Sequence, residues 1–161
     1  MPLLFNLHHL ESKNFRLAGE LPVEELDLEN VDELIHARLP LKHDLVAQKL
    51  ADAILVQGRL RLTLECECVR CLKPFRYELE MNEWACHLPL RGEEKVVLVN
   101  DCVDLTPYMR EDILLGFPQH PLCKPECGGL LKKTTGERTK PGSSETIEVS
   151  PAWAELNKLK L

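Results

Sequence analysis

Seven cysteines in a chain of 161 residues are its first chemical feature. Four of them form two closely spaced pairs. Cys68-Val69-Arg70-Cys71 is C-x2-C, and Cys123-Lys124-Pro125-Glu126-Cys127 is C-x3-C followed by Gly128-Gly129. Both spacings are those of zinc knuckles, in which a tight turn lets two thiolates approach one ion. Glycines after the second pair free the backbone to wrap that ion. One structural zinc held by Cys68, Cys71, Cys123 and Cys127 is the functional expectation, with Cys66 and His120 as substitute ligands. The 51 residues between the pairs are more than a compact ribbon uses. A second reading therefore stays open, that these are reduced thiols at turns. A redox C-x2-C fits less well. Such a pair sits at a helix start, where the amide dipole lowers the thiol pKa, whereas Pro74 follows here within what reads as a hairpin. Cys86 and Cys102 lie beside apolar residues and read as buried core thiols.

Other chemistries find little support. No histidine has a serine or acid partner at motif spacing, and there is no phosphate-binding glycine loop, no H-E-x-x-H and no G-x-S-x-G. Eight aromatic residues do not suggest a base-stacking platform. Two cationic groups remain. Arg70 and Lys73 flank Cys71, and with Arg76 they can form a spot for a phosphate or an acidic partner; alternatively they pair with Glu65, Glu67 and Glu78. Lys132, Lys133, Arg138 and Lys140 against Glu137 give a cationic run in a stretch too polar to pack. Such a run can follow a phosphate backbone, or it can be a solvated linker. Trp153, Leu156 and Leu159 lie on one face of a short helix opened by Ser150-Pro151, which must dock on its own domain or on a partner.

Composition bounds the rest. The net charge is −6, so the surface as a whole does not favour nucleic acid. Residues 132–161 run against that sign, with six basic and four acidic residues. No apolar run approaches the ~20 residues of a membrane span. The N-terminus lacks the basic and apolar regions of a secretory signal. The expected compartment is the cytoplasm, where an odd number of cysteines is no disulfide framework.

These residues need elements to position them. Phe15–Leu21 alternates as a strand ended by Pro22, and Val23–Asn30 has room for one helical turn. Ile35 to Leu41 has period two, with Pro40 marking an edge or bulge. Asp44–Val56 fits either a helix capped by Asp44 or two strands joined near Ala51-Asp52. Leu60, Leu62 and Leu64 alternate with polar residues and lead into the first cysteine pair. Phe75, Tyr77, Leu79 and Met81 form the returning strand, so the pair sits at a hairpin tip. Trp84–Leu88 continues that strand or adds one. Val96-Val97-Leu98-Val99 reads as a strand buried on both faces. Thr106-Pro107 opens a helix, with Thr106 as its cap and Gly116 and Pro118 as its stop.

Leu64-Glu65-Cys66-Glu67-Cys68-Val69-Arg70-Cys71-Leu72-Lys73-Pro74-Phe75 resembles the C-x-R-C-L-x-P-F signature of the YceD family, bacterial proteins with plastid relatives associated with accumulation of large-subunit ribosomal RNA. The family's later block is an acidic helical stretch, then Cys, Cys, Gly and Leu. It is similar to Asp104–Pro118 followed by Cys123, Cys127, Gly129 and Leu130. Its Lys-rich tail is similar to residues 151–160. Many members carry further cysteines where this chain has Leu131 and Thr135. The resemblance implies a chiefly β N-terminal half, which favours strands for residues 44–56.

The expected fold is α+β: an antiparallel sheet of five to seven strands, barrel-like if it curls far enough, with one packed helix and a short C-terminal helix. The expected division is a domain over residues 1–131 and a mobile basic loop with a short helix over 132–161. The resemblance implies a non-enzymatic factor in large ribosomal subunit biogenesis that supports ribosomal RNA accumulation or processing. Its partners would be ribosomal RNA or ribosomal proteins of the large-subunit precursor, with no membrane and no small-molecule substrate. The alternatives are a small zinc-knuckle adaptor and a cysteine-dependent thiol or redox enzyme.

Overall fold

The computed structural model describes residues 2–11 and 13–130. Seven strands and one α-helix follow in the order β1 (Leu4–Asn6), β2 (Phe15–Leu21), β3 (Ile35–Ala37), β4 (Leu41–Lys49), β5 (Ala53–Glu67), β6 (Pro74–Pro89), β7 (Cys102–Asp104) and α1 (Thr106–Leu115). Short 3-10 turns occupy Leu7–Leu10 and Val23–Leu26. The class is α+β, as expected, and the main sheet is a curled half-barrel.

One antiparallel hairpin, β5 with β6, dominates this sheet. It is paired from Ala53↔Pro89 to Glu67↔Pro74. The other edge of β5 is shared. Its first half pairs with β4, from Lys49↔Ile54 to Lys42↔Arg61, and its end pairs with β3. Strand β2 pairs with β4 on the far side. Period-two alternation drives this arrangement. Leu41, Leu45 and Ala47 of β4 and Leu60, Leu62 and Leu64 of β5 are buried on one face, with Leu79, Trp84 and Leu88 of β6. Met109 and Ile113 of α1 join the same core. The opposite face is charged and carries cross-strand pairs, among them Arg16–Asp44 at 2.7 Å and Arg61–Glu80 at 2.9 Å, and Arg38, just past β3, pairs with Glu65 of β5 at 3.1 Å.

Gly58 allows β4 to approach. A Cβ there would lie 2.1 Å from the Asp44 carbonyl oxygen and 2.8 Å from Leu45 Cα. The register shifts at the same place. Gly58 faces Trp84 and Leu60 faces Met81, so Asn82 and Glu83 share one opposing residue, Arg59. This β-bulge bends β6.

Several expectations change. The Ile35–Leu41 stretch is two strands, because the chain breaks at Pro40 between β3 and β4. Asp44–Val56, by contrast, is strand, turn and strand, the alternative that the resemblance favours over a helix. The 96–99 segment is not a doubly buried strand: Val96 is buried, but Val97 is 78% and Val99 63% exposed. Val96 N–H donates to the Pro89 carbonyl at 2.8 Å and Val99 bridges Cys102, but among the described residues no strand pairs along the segment to cover it. Thr106 does not cap α1 with its side chain. The cap residue is Leu105; Thr106 Oγ1 instead accepts from the Leu3 N–H at 2.9 Å, and Asp104 Oδ1 accepts from the Thr106 N–H at 2.9 Å. The expected C-terminal helix and basic loop lie outside the described residues.

Candidate metal centre

The first knuckle is the tip of the β5–β6 hairpin. Cys68 follows Glu67, the last residue of β5. The turn closes through Cys68 N–H to the Lys73 carbonyl at 3.0 Å and Leu72 N–H to the Cys68 carbonyl at 2.9 Å. Leu72 takes a left-handed conformation, φ 58°, to complete it. A branched side chain pays strain for that geometry, and the surrounding turn holds it. The second knuckle follows α1. Cys127 N–H donates to the Lys124 carbonyl at 3.1 Å, and Gly129 takes φ 88°, for which glycine is suited.

Two hydrogen bonds join the knuckles across more than fifty residues of sequence. Val69 N–H donates to the Pro121 carbonyl at 2.9 Å, and Arg70 Nη1 donates to the Cys127 carbonyl at 3.0 Å. The four sulfurs therefore converge. All lie within 4.8 Å of one another, with Cys68 Sγ 3.6 Å from Cys127 Sγ and Cys71 Sγ 3.7 Å from Cys123 Sγ. A tetrahedron with metal–sulfur bonds of ~2.3 Å has edges of roughly 3.8 Å. The donor set fits: four thiols, two of them buried, close enough to hold one metal ion.

Proton affinities in the cluster are split. The Cys68 thiol is lowered to about 6, chiefly by the backbone amide of Cys123 and further by those of Cys71 and Arg70. Cys123 is pushed up to about 12, first by burial and then by the neighbouring thiols. Adjacent thiols share protons, so one thiolate forms readily and the last is resisted. A bound cation favours every thiolate at once. Outside the cluster, burial raises Cys66, and raises Cys86 to about 11. Such thiols are poor nucleophiles at neutral pH.

The remaining expected site residues divide. Cys66 and His120 lie outside the four-sulfur group. Arg70 is engaged with Cys127, and not with Glu65, which pairs with Arg38. Glu78 accepts from Thr63 at 2.8 Å. Lys73 is exposed and has no ion pair among the described residues. Cys102 is half-buried near Asn6 Nδ2, 3.7 Å away. Lys132, Lys133, Arg138, Lys140 and Trp153 lie outside the described residues. Sequence reasoning missed the Pro121 carbonyl and the left-handed Leu72; neither residue type carries a signal for its role.

The family model described as "Large ribosomal RNA subunit accumulation protein YceD" matches residues 56–160, a span that holds both knuckles. The chain belongs to the YceD family. Curated relatives include an uncharacterized protein of Mycobacterium tuberculosis (strain H37Rv), 24% identical over 121 residues that cover 70% of this chain and 58% of the relative. Another, from Mycobacterium leprae, is 25% identical over 129 residues, 74% of this chain and 59% of the relative. The chain thus spans somewhat over half the length of these relatives. No solved structure matches it. Among the described residues no helix is long and apolar enough to cross a membrane.

Proposed function

We propose that this YceD-family chain is a non-enzymatic factor in large ribosomal subunit biogenesis, and that Cys68, Cys71, Cys123 and Cys127 hold one structural zinc that fixes its binding surface. The observation that carries the reading is the convergence of four thiols from two distant knuckles, in a chain whose family is described by large-subunit ribosomal RNA accumulation. Zinc, when bound, supplies a closed four-coordinate cross-link with no open position for substrate. The chain's residues do the rest. Arg70 and Val69 hold the two knuckles in register. Exposed Lys73 and the basic residues Lys132, Lys133, Arg138 and Lys140 supply cationic contacts to ribosomal RNA or ribosomal proteins of a large-subunit precursor, and Trp153 supplies an apolar anchor. Residues 1–131 form the domain that presents the knuckles, and residues 132–161 act as an arm. The compartment is the cytoplasm, where precursors assemble.

The test is co-sedimentation of a tagged full-length chain with large-subunit precursor particles. Association is expected for the intact chain, to weaken steeply with salt, and to be lost on deletion of residues 132–161. Undiminished association of the truncated chain with the same salt dependence overturns the arm. A chain that pulls down assembly proteins but forms no crosslinks to RNA favours the adaptor reading.

A further inference from the structure

Away from the cysteines, a groove runs between the outer edge of β6 and the last turn of α1. Met81, Glu83, Trp84 and Ala85 line one side, and Asp112 and Leu115 the other, around a volume of about 480 Å³. Inner-face and outer-face side chains of β6 both reach it, so the groove wraps the strand's edge. Among the described residues that edge has no partner. Strand β6 pairs only with β5, and no other backbone hydrogen bond reaches residues 75–88. The bulge at Asn82-Glu83 bends the strand at this point.

The helix side is rigidly placed. Trp84 Nε1 donates to Asp112 Oδ2 at 2.6 Å. Gly116 lies so close to β6 that a Cβ there would be 2.9 Å from Met81 Cε and 3.0 Å from Leu79 Cδ1. Leu115, next to it, is 84% exposed, the most exposed large apolar side chain among the described residues.

A free strand edge beside a helix is the geometry in which an extended peptide adds a strand and places alternate side chains in a pocket. We infer that this groove binds an extended cationic peptide segment, which pairs with β6 and seats one large apolar side chain against Leu115, Met81 and Trp84. The charge decides the occupant. Among the described residues the groove is lined by two carboxylates, Glu83 and Asp112, and by no cationic side chain. A nucleic-acid strand is repelled by that lining. A second copy of the chain, pairing antiparallel about a two-fold axis between residues 81 and 82, would set Glu80 of each copy near Glu83 of the other. This site is separate from the cysteine cluster and does not depend on what the cluster holds.

The probe is a capped, fluorescein-labelled heptapeptide of alternating lysine and leucine, titrated into the full-length chain and followed by anisotropy and by amide chemical shifts. Binding is expected to shift amides of residues 81–88 and 112–116. It is expected to weaken about tenfold in Leu115→Ser and in Glu83→Lys, both exposed positions, with each tenfold step corresponding to roughly 1.4 kcal/mol. The charge-matched control Glu24→Lys, on the 3-10 turn of residues 23–26, is expected to weaken binding less than twofold. The inference is overturned if the peptide does not bind, if Glu24→Lys and Glu83→Lys weaken it equally, if a glutamate–leucine peptide binds as well, if the shifts map elsewhere, or if the chain dimerises through this edge.

Discussion

Arg70 Nη1, in the first knuckle, donates to the carbonyl oxygen of Cys127, in the second, at 3.0 Å. The hairpin tip and the segment after the helix are thus tied by a side chain as well as by four converging sulfurs. A hydrogen bond from a charged donor is stronger than a neutral one, and this one fixes the backbone that carries a ligand.

Arg70→Met removes that tie and leaves all four thiols. Groups that orient metal ligands typically contribute about 10–100-fold in metal affinity. Zinc transfer to a chromophoric chelator is expected to be faster by about that factor, with the thermal midpoint of the β core little changed. Unaltered transfer would show that the sulfurs alone set the geometry.

Cys68→Ser and Cys127→Ser each remove a buried ligand. Native mass spectrometry is expected to show about one zinc in the wild-type chain and none in either variant. Structural zinc can contribute ~10 kcal/mol or more of apparent folding energy in small fingers, but the core formed by β4, β5, β6 and α1 does not include the knuckles. Increased hydrogen exchange is therefore expected in residues 66–74 and 121–129, with protection retained at Leu60–Leu64. A wild-type chain that is fully folded and metal-free would remove zinc from the proposal.

Gly58→Ala tests the close pass of β4 over β5. The added methyl would lie 2.1 Å from the Asp44 carbonyl oxygen, a backbone atom that moves only with its strand. A destabilisation of about 1–3 kcal/mol or more is expected from urea unfolding. A neutral result would mean that the two strands are not held at this distance.

His43 gives a pH signature. It is 8% exposed, its ring lies over Gly19, and Nδ1 has no hydrogen-bond partner among the described residues. Burial lowers its pKa from the ordinary 6.5, and the neighbouring Asp44 only partly opposes this. The unfolded chain therefore binds the proton first as pH falls. Stability is expected to be full above pH 6.5 and to decline as pH drops toward the lower folded pKa. His43→Phe keeps a ring over Gly19 and should flatten this part of the pH–stability curve. A slope identical in both proteins would assign the acid sensitivity to other groups.

By itself, the sequence determined what local chemistry dictates. The alternation of Leu60, Leu62 and Leu64, and of Phe75 through Met81, specified the hairpin, because a pleated strand with one buried face needs period two. The two cysteine pairs named the candidate ligands, because C-x2-C and C-x3-C are turn spacings. The ambiguity over residues 44–56 was not local. Its apolar residues fit both periods, and pairing with β5 selects strands. The exposure of Val97 and Val99 is not local either, since an apolar run is buried only if another element covers it. Tertiary structure alone decided that knuckles 51 residues apart meet, that Arg70 serves the Cys127 carbonyl, and that among the described residues no strand covers the edge of β6 beside Leu115. Each of these depends on where β5, β6 and α1 pack relative to one another, and contacts between residues distant in the chain leave no periodic trace in it.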